Sequence, residues 1–289
     1  MNGKPKDAHF KHYTAYVQQF DSLLPTLTVR ETLLYSGRLS LPATVTAAQR
    51  DELAGRVLGE LGLEPVAHRW VGGGPFPGVS SGQRKRVSMG IALMQQPSLV
   101  FLDEPTTGLD ASSAYNVMEK ISRMADKGRT VVATIHQPSA AMVSLYDKLL
   151  LLSAGRVVYL GPAADAATFF ESVGHGVPDH VNPSDHYLDL ISVDYKPEGV
   201  GEVDIPAIVD SFAASDIARR MGERAASGAL PDMSRIAQAR AASPPLRLRA
   251  ARCALLAPPP PRPRLAGWAC GAGRGAGRQQ RLAAVCSAQ

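Results

Sequence analysis

The sequence predicts an α/β protein with a parallel-sheet core, an inserted helical segment over about residues 28–96, and a C-terminal tail without a core. Three observations predict it. Residues 99–102 are a continuous apolar run, as expected of a strand buried on both faces, and residues 130–135 read as a second buried strand. A helix-length stretch from about 112 to 127 lies between them and ends at Gly128, so strand, helix and strand form a right-handed parallel crossover. After Asp232 there is no Asp, Glu or Lys, and the chain becomes rich in Pro, Ala, Arg and Gly with no apolar period, a composition of disorder.

Residues 13–17 are a short β-prone run leading into Gln18-Gln19. Thr28 opens a helix that runs to about Leu41, with Leu33, Leu34 and Leu39 apolar, and Pro42 stops it. Thr46 followed three residues later by Gln49 is a capping box. Leu53, Val57 and Leu61 then repeat at i+4 along one face of a helix that ends near Gly62. Gly72-Gly73-Gly74-Pro75 and Pro77-Gly78 make a loop, and a further helix is expected from about Arg84 to Gln96. Beyond the crossover, residues 148–152 and 156–160 read as a hairpin around Ala154-Gly155. Helices are expected over about 164–173 and 183–192, and a polar, helical stretch follows residue 193.

The charge is uneven. Ten Arg lie beyond Asp232, so 21 of the 31 basic residues face all 26 acids over residues 1–232, a net charge near −5 there. The overall +5 and pI near 9.2 belong to the tail and do not indicate a nucleic-acid-binding domain. All three cysteines, Cys253, Cys270 and Cys286, are also in the tail, at spacings that fit neither a zinc site nor a disulfide frame. A cysteine-free body suits a reducing, cytosolic setting. No signal peptide opens the chain and no run approaches 18 apolar residues, so the chain as written reads as soluble.

In open parallel sheets, ligands gather at the carboxyl ends of the strands. Asp103 and Glu104 directly follow one predicted strand, and His136 ends its neighbour. An Asp there can hold Mg²⁺, which prefers few carboxylates plus phosphates. Glu104 can polarise a water for in-line attack on a γ-phosphate, and His136 can bond that phosphate or orient the water. Singly, each residue is better read as a solvated turn or a locally bonded histidine; in this order and spacing the chemical reading prevails. Val79-Ser80-Ser81-Gly82-Gln83 precedes a helix, whose N-terminus suits an anion, so the Ser80 hydroxyl and Gly82 backbone can grip a terminal phosphate. Arg84, Lys85 and Arg86 are read as an exposed basic face.

These residues resemble the ATP-binding cassette of ABC transporters, a P-loop NTPase-like fold. Val79–Gln83 resembles the signature motif, and residues 99–104 resemble Walker B. Gly108-Leu109-Asp110 resembles the D-loop, His136 the switch histidine, and Gln19, in preference to Gln18, the Q-loop glutamine. Asp103–Asp110, Thr134–Ser139, Leu160-Gly161-Pro162-Ala163, residues 169–172 and Asn182-Pro183-Ser184-Asp185 are similar to the G subfamily, the White-type half-transporters. The resemblance runs from about residue 10 to 193, so residues 1–195 are expected to form a partial nucleotide-binding domain, 196–234 a linker, and 235–289 a low-complexity tail.

The resemblance implies ATP and Mg²⁺ as ligands. It makes Glu104 and His136 catalytic, places Gln19, Ser80, Gly82, Gln83 and Asp110 on ATP, and puts Asp103 and Gln19 on the metal. In such proteins the cassette precedes a six-helix membrane domain. Two chains pair, and each ATP lies between one cassette's Walker motifs and the other's signature, at the cytoplasmic face of a membrane. Substrates are typically sterols, other lipids or hydrophobic xenobiotics. No nucleic acid is implied.

Three departures follow. No Gly-x-x-x-x-Gly-Lys-Ser/Thr occurs in the sequence, and those amides and that Lys would carry the β- and γ-phosphates. Ser81 stands at the usual first glycine of the signature, where a Cβ is expected to restrict the loop. No membrane domain follows. The simplest expectation is a fragment in which Met1 is an internal start and the tail comes from out-of-frame or intronic coding. The competing readings are a non-catalytic partner that lends Ser80 and Gly82 to another chain's ATP, and a soluble ABC ATPase. The Asn182–Asp185 segment and the lack of a second cassette weigh against the last.

Overall fold

The computed structural model describes residues 10–192, 203–226 and 284–287. Helix α1 (Phe10–Tyr13) leads into strand β1 (Thr14–Val17). Helices α2 (Val29–Ser40), α3 (Ala47–Leu61) and α4 (Ser81–Leu93) follow before β2 (Leu99–Asp103), α5 (Ala111–Asp126) and β3 (Thr130–Thr134). A short α6 (Ala140–Val143) precedes the hairpin of β4 (Lys148–Ser153) and β5 (Arg156–Pro162). Helices α7 (Ala166–Ser172), α8 (Pro183–Ile191), α9 (Ile205–Ala214) and α10 (Asp216–Ala226) come next. Within the tail, Ala284–Ser287 form β6; the other tail residues lie outside those described.

The sheet order is β1-β2-β3-β6-β4-β5. Strands β1, β2 and β3 are parallel, as the crossover predicted, whereas β6 runs antiparallel to both β3 and β4, and β4 pairs antiparallel with β5. The hairpin turn is at Ala154-Gly155, both with positive φ (47° and 79°), the geometry that suits the twist of paired strands.

The expectation of strands buried on both faces is corrected. Burial alternates along β2 and β3: Val100, Leu102, Val131 and Ala133 are buried, while Leu99, Phe101, Thr130 and Val132 are half-covered. Helix α5 closes the first face, with Met118 and Ile121 lining one small cavity together with Val131 and Ala133. Among the described residues the other face is left partly open, and it is the face that carries Asp103.

Helices α2, α3 and α4 pack together through Leu33, Val57, Leu61, Val87 and Gly90, all buried. A Cβ at Gly90 would lie 2.8 Å from Leu33 Cδ2, so glycine sets the close approach of α4 to α2. Both predicted starts are capped: Thr28 with Glu31 and Thr46 with Gln49 form capping boxes. Gly62 ends α3 in the left-handed region. Helix α4 starts three residues before the expected Arg84, because Ser80 and Gln83 make a third capping box. The loop ahead of it is pinned where Gly72, at φ 67°, lies against Gly78; a Cβ at Gly72 would be 2.5 Å from Gly78 Cα.

Candidate phosphate-hydrolysis site

Strand register builds the centre of the site. Asp103 ends β2 opposite Thr134 of β3, and Tyr16 on β1 pairs with Phe101, two residues before Asp103 on the same face. Thr134 Oγ1 therefore donates to Asp103 Oδ1 at 2.9 Å, and Tyr16 Oη donates to Oδ2 at 2.7 Å. The Asp103 carboxylate that accepts this proton holds the Tyr16 hydroxyl above the usual phenol range, although the ring is 61% exposed.

Glu104 has φ 41°, a left-handed conformation unusual for a non-glycine residue. Its N–H donates to Thr134 Oγ1 at 3.0 Å, so one hydroxyl bridges Asp103 and the Glu104 backbone. Its carboxylate turns toward the end of β1. There Gln19 Nε2 donates to Glu104 Oε2 at 2.6 Å, and Thr107 Oγ1 donates to the same oxygen at 2.9 Å. Gln18 is exposed and makes no such contact. Oε1 of Glu104 is left for a further donor, such as water.

Among the described residues no group of three or more His, Cys, Asp or Glu could hold a metal ion on its own. One carboxylate with a neighbouring amide oxygen nevertheless fits Mg²⁺, which takes the rest of its shell from water and phosphate. Gln19 uses its nitrogen on Glu104, so its Oε1 stays available to a cation.

Of the other candidates, His136 follows β3, whereas Ser80, Gly82, Gln83 and Asp110 sit at the starts of α4 and α5. His136 is exposed, two residues past the end of β3, and has no hydrogen bond to Glu104. The loop behind it is held from α8, where Asn182 Nδ2 donates to Pro138 O at 3.0 Å and to Asp185 Oδ2 at 3.1 Å. Asp110 caps α5 by accepting from Ser113 N at 3.0 Å, and these Ser113 hydrogen bonds hold its carboxyl below the usual range. Because the folded pKa is depressed, the cap's contribution is complete above the unfolded value of 3.8 and is lost as pH falls through the folded one. Asp110→Asn is therefore expected to flatten the acid limb of a stability-against-pH curve below about pH 4 while leaving neutral stability nearly unchanged.

In the segment before α4, Gln83 N donates to Ser80 Oγ at 3.2 Å, and Ser80 N donates to Gln83 Oε1 at 2.9 Å. The Ser80 oxygen accepts in this bond, so its own proton is free to reach an anion at the helix end. Ser80→Ala should lower stability by about 1 kcal/mol in urea unfolding, and Ser80→Gly by only a few tenths. Gly82 has a packing reason of its own, since a Cβ would lie 3.2 Å from Ser113 Cβ. The expected restriction at Ser81 does not arise: Ser81 is the first residue of α4, without positive φ, so a Cβ is accommodated there.

The exposed basic face expected at residues 84–86 is also corrected. Lys85 is only 3% exposed, and Arg86 donates to the Leu61 and Gly62 carbonyls at 3.0 and 3.4 Å. Consecutive residues on α4 point about 100° apart, so the three cannot share one face, and Lys85 is the one turned inward. The sequence reading assigned no role to Tyr16, Thr107 or Thr134. Tyr16 and Thr134 follow from strand parity once β1 and β3 are set beside β2; Thr107 needs the tight turn after Glu104.

A family profile described as "ABC transporter" matches residues 2–107, and one described as "ABC-2 type transporter" matches residues 136–212. The chain is 42% identical over 229 residues to a broad substrate specificity ATP-binding cassette transporter, ABCG2, of Sus scrofa, covering 74% of this chain and 35% of that protein. It is 45% identical over 194 residues to the Mus musculus protein of the same name, covering 67% and 30%. To ABC transporter G family member 14 of Arabidopsis thaliana it is 44% identical over 189 residues, covering 65% and 29%. The chain thus spans about a third of the length of the curated relatives it matches. A solved ATP-binding cassette of an ABC transporter is similar at 23% identity and a TM-score of 0.46, over 58% of this chain and 70% of that one.

Proposed function

The chain belongs to the G subfamily of the ABC transporter family, and we propose that residues 10–193 are the hydrolytic half of that family's ATP-binding cassette. The observation that carries the reading is the 2.6 Å bond from Gln19 to Glu104, beside an Asp103 fixed by Thr134. Gln19 and Thr107 hold one oxygen of Glu104, which leaves the other to accept a proton from an attacking water. Asp103 and the Gln19 amide oxygen would hold Mg²⁺, which neutralises charge on the phosphates. His136, exposed next to this centre, orients the water or bonds the γ-phosphate.

Ser80 and Gly82, at the start of α4, offer the Ser80 hydroxyl proton and the Gly82 amide to the terminal phosphate of a nucleotide held by a second cassette, with Gln83 and Asp110 supporting the two helix starts. No Gly-x-x-x-x-Gly-Lys-Ser/Thr exists in the 289 residues, so the grip on the β- and γ-phosphates comes from outside them. That same observation favours a second reading, in which the chain only donates its signature to a partner's ATP. In the leading reading, hydrolysis drives export of lipids, sterols or other hydrophobic compounds through a membrane domain, with the cassette at the cytoplasmic face and paired with another. No helix among the described residues is long and apolar enough to cross a membrane.

ATP hydrolysis by the transporter chain that carries these residues, compared with its Glu104→Gln form, separates the two readings. Activity that disappears in the variant supports hydrolysis at Glu104, and activity untouched by it leaves the signature-donating reading.

A further inference from the structure

Lys85 is a buried cation with three partners, and the hydrolytic chemistry just described gives Lys85 itself no part. From α4 its Nζ donates to Gln19 O at 2.7 Å and to Gln18 O at 3.3 Å, and pairs with Asp21 Oδ1 at 3.2 Å. Two carbonyls and one carboxylate thus surround the ammonium. Ser88, one turn further along α4, donates to the same Asp21 oxygen at 2.7 Å. A single helix face therefore grips residues 18–21 at the end of β1, and Gln19, the residue gripped hardest, is the one whose side chain holds Glu104.

We propose that Lys85 is a positioning residue that couples the orientation of α4 to the catalytic carboxylate through Gln19. The path is continuous. Ser80 caps α4, Lys85 lies in the second turn of that rigid helix, its ammonium fixes the Gln19 carbonyl, and the Gln19 amide fixes Glu104. A rotation of α4, as when an anion binds at its N-terminus, moves the anchor of Gln19 and with it the angle at which Glu104 meets water. Buried ammonium groups need pairing, and this one obtains it from two carbonyls and the Asp21 carboxylate of the segment it would control. The catalytic consequence rests on the reading of Glu104 given above; the mechanical link from α4 to Gln19 does not.

The test uses the full 289-residue chain and the side-chain amide resonances of Gln19 in ¹⁵N-labelled protein, assigned by Gln19→Asn. Lys85→Met, nearly isosteric and uncharged, should shift the Gln19 NH₂ signals toward a free amide. Glu104→Ala, which removes the acceptor of that amide, should shift them in the same direction, and the Lys85→Met/Glu104→Ala double variant should shift them no further. Asp21→Asn, which keeps both carbonyl contacts and weakens the third, should give a smaller shift of the same sign, and it serves as the probe if Lys85→Met does not fold. Gln19 signals that stay in place in folded Lys85→Met, or in Asp21→Asn, would overturn the link.

In the hydrolysing transporter, Lys85→Met should lower kcat on the order of 10²-fold with KM for ATP unchanged within about twofold, the mark of misplacement without lost binding. A raised KM at unchanged kcat would overturn the positioning role. If hydrolysis proves indifferent to Glu104→Gln, the catalytic reading fails, and the Gln19 signals still decide whether the link exists.

Discussion

Glu104→Gln is expected to lower kcat for ATP hydrolysis by about 10²–10⁴-fold while leaving the fold intact. The amide is nearly isosteric with the carboxylate, and its oxygen can still accept from Gln19 and Thr107, so the two contacts at 2.6 and 2.9 Å survive. What is lost is the basicity of the second oxygen, which accepts from no donor among the described residues and is left to take the proton from water. Thermal midpoints within a few degrees of the parent would show that the loss is chemical. The strained φ of 41° at Glu104 fits this assignment, because such conformations persist where the surroundings impose them. Here the Thr134 hydroxyl imposes it, accepting the Glu104 N–H while donating to Asp103.

The largest effect on stability is expected at Phe170. Its ring is fully buried, stacked on Tyr187 at 4.5 Å and edge-on to Phe169 at 5.3 Å. These rings join α7 and α8, and Tyr159 of β5 brings the sheet into the same cluster. Phe170→Ala removes the aromatic volume from the middle of this layer and should cost about 3–5 kcal/mol, read as a lowered urea midpoint. The consequence reaches the site, since α8 begins at Asn182, which holds the Pro138 carbonyl behind His136. The variant should therefore also speed hydrogen exchange at the loop following His136.

The legible parts of the fold were those with a local cause. Thr46 with Gln49, Gly62 after α3 and Ala154-Gly155 in the hairpin each act within a few residues of themselves. The start of α4 has an equally local cause, the Ser80-x-x-Gln83 capping box, but those same residues also carry the signature resemblance, which points to phosphate chemistry instead. Lys85 is buried for a separate geometric reason: consecutive helix residues point about 100° apart, so residues 84–86 cannot share one exposed face. The half-open face of β2 and β3 could not be read from an apolar run, which looks alike whether one face or both are covered.

Within the site, Asp103, Glu104 and Gln19 were visible as residue types in order, whereas their supports were not. Tyr16 and Thr134 reach Asp103 through non-local strand pairing, and Thr134 lies 31 residues from its partner. Lys85 reaches Gln19 across 66 residues.

The account holds that residues 10–193 carry the metal- and water-facing groups and that the phosphate grip lies outside residues 1–289. Its most direct test is a calorimetric titration of the 289-residue chain with ATP and Mg²⁺. The predicted result is no saturable binding in the micromolar range, because one carboxylate and one amide without an amide cradle or lysine hold phosphates weakly. Micromolar saturation that weakens on Asp103→Asn would contradict the account, since it would place a complete phosphate grip within these 289 residues.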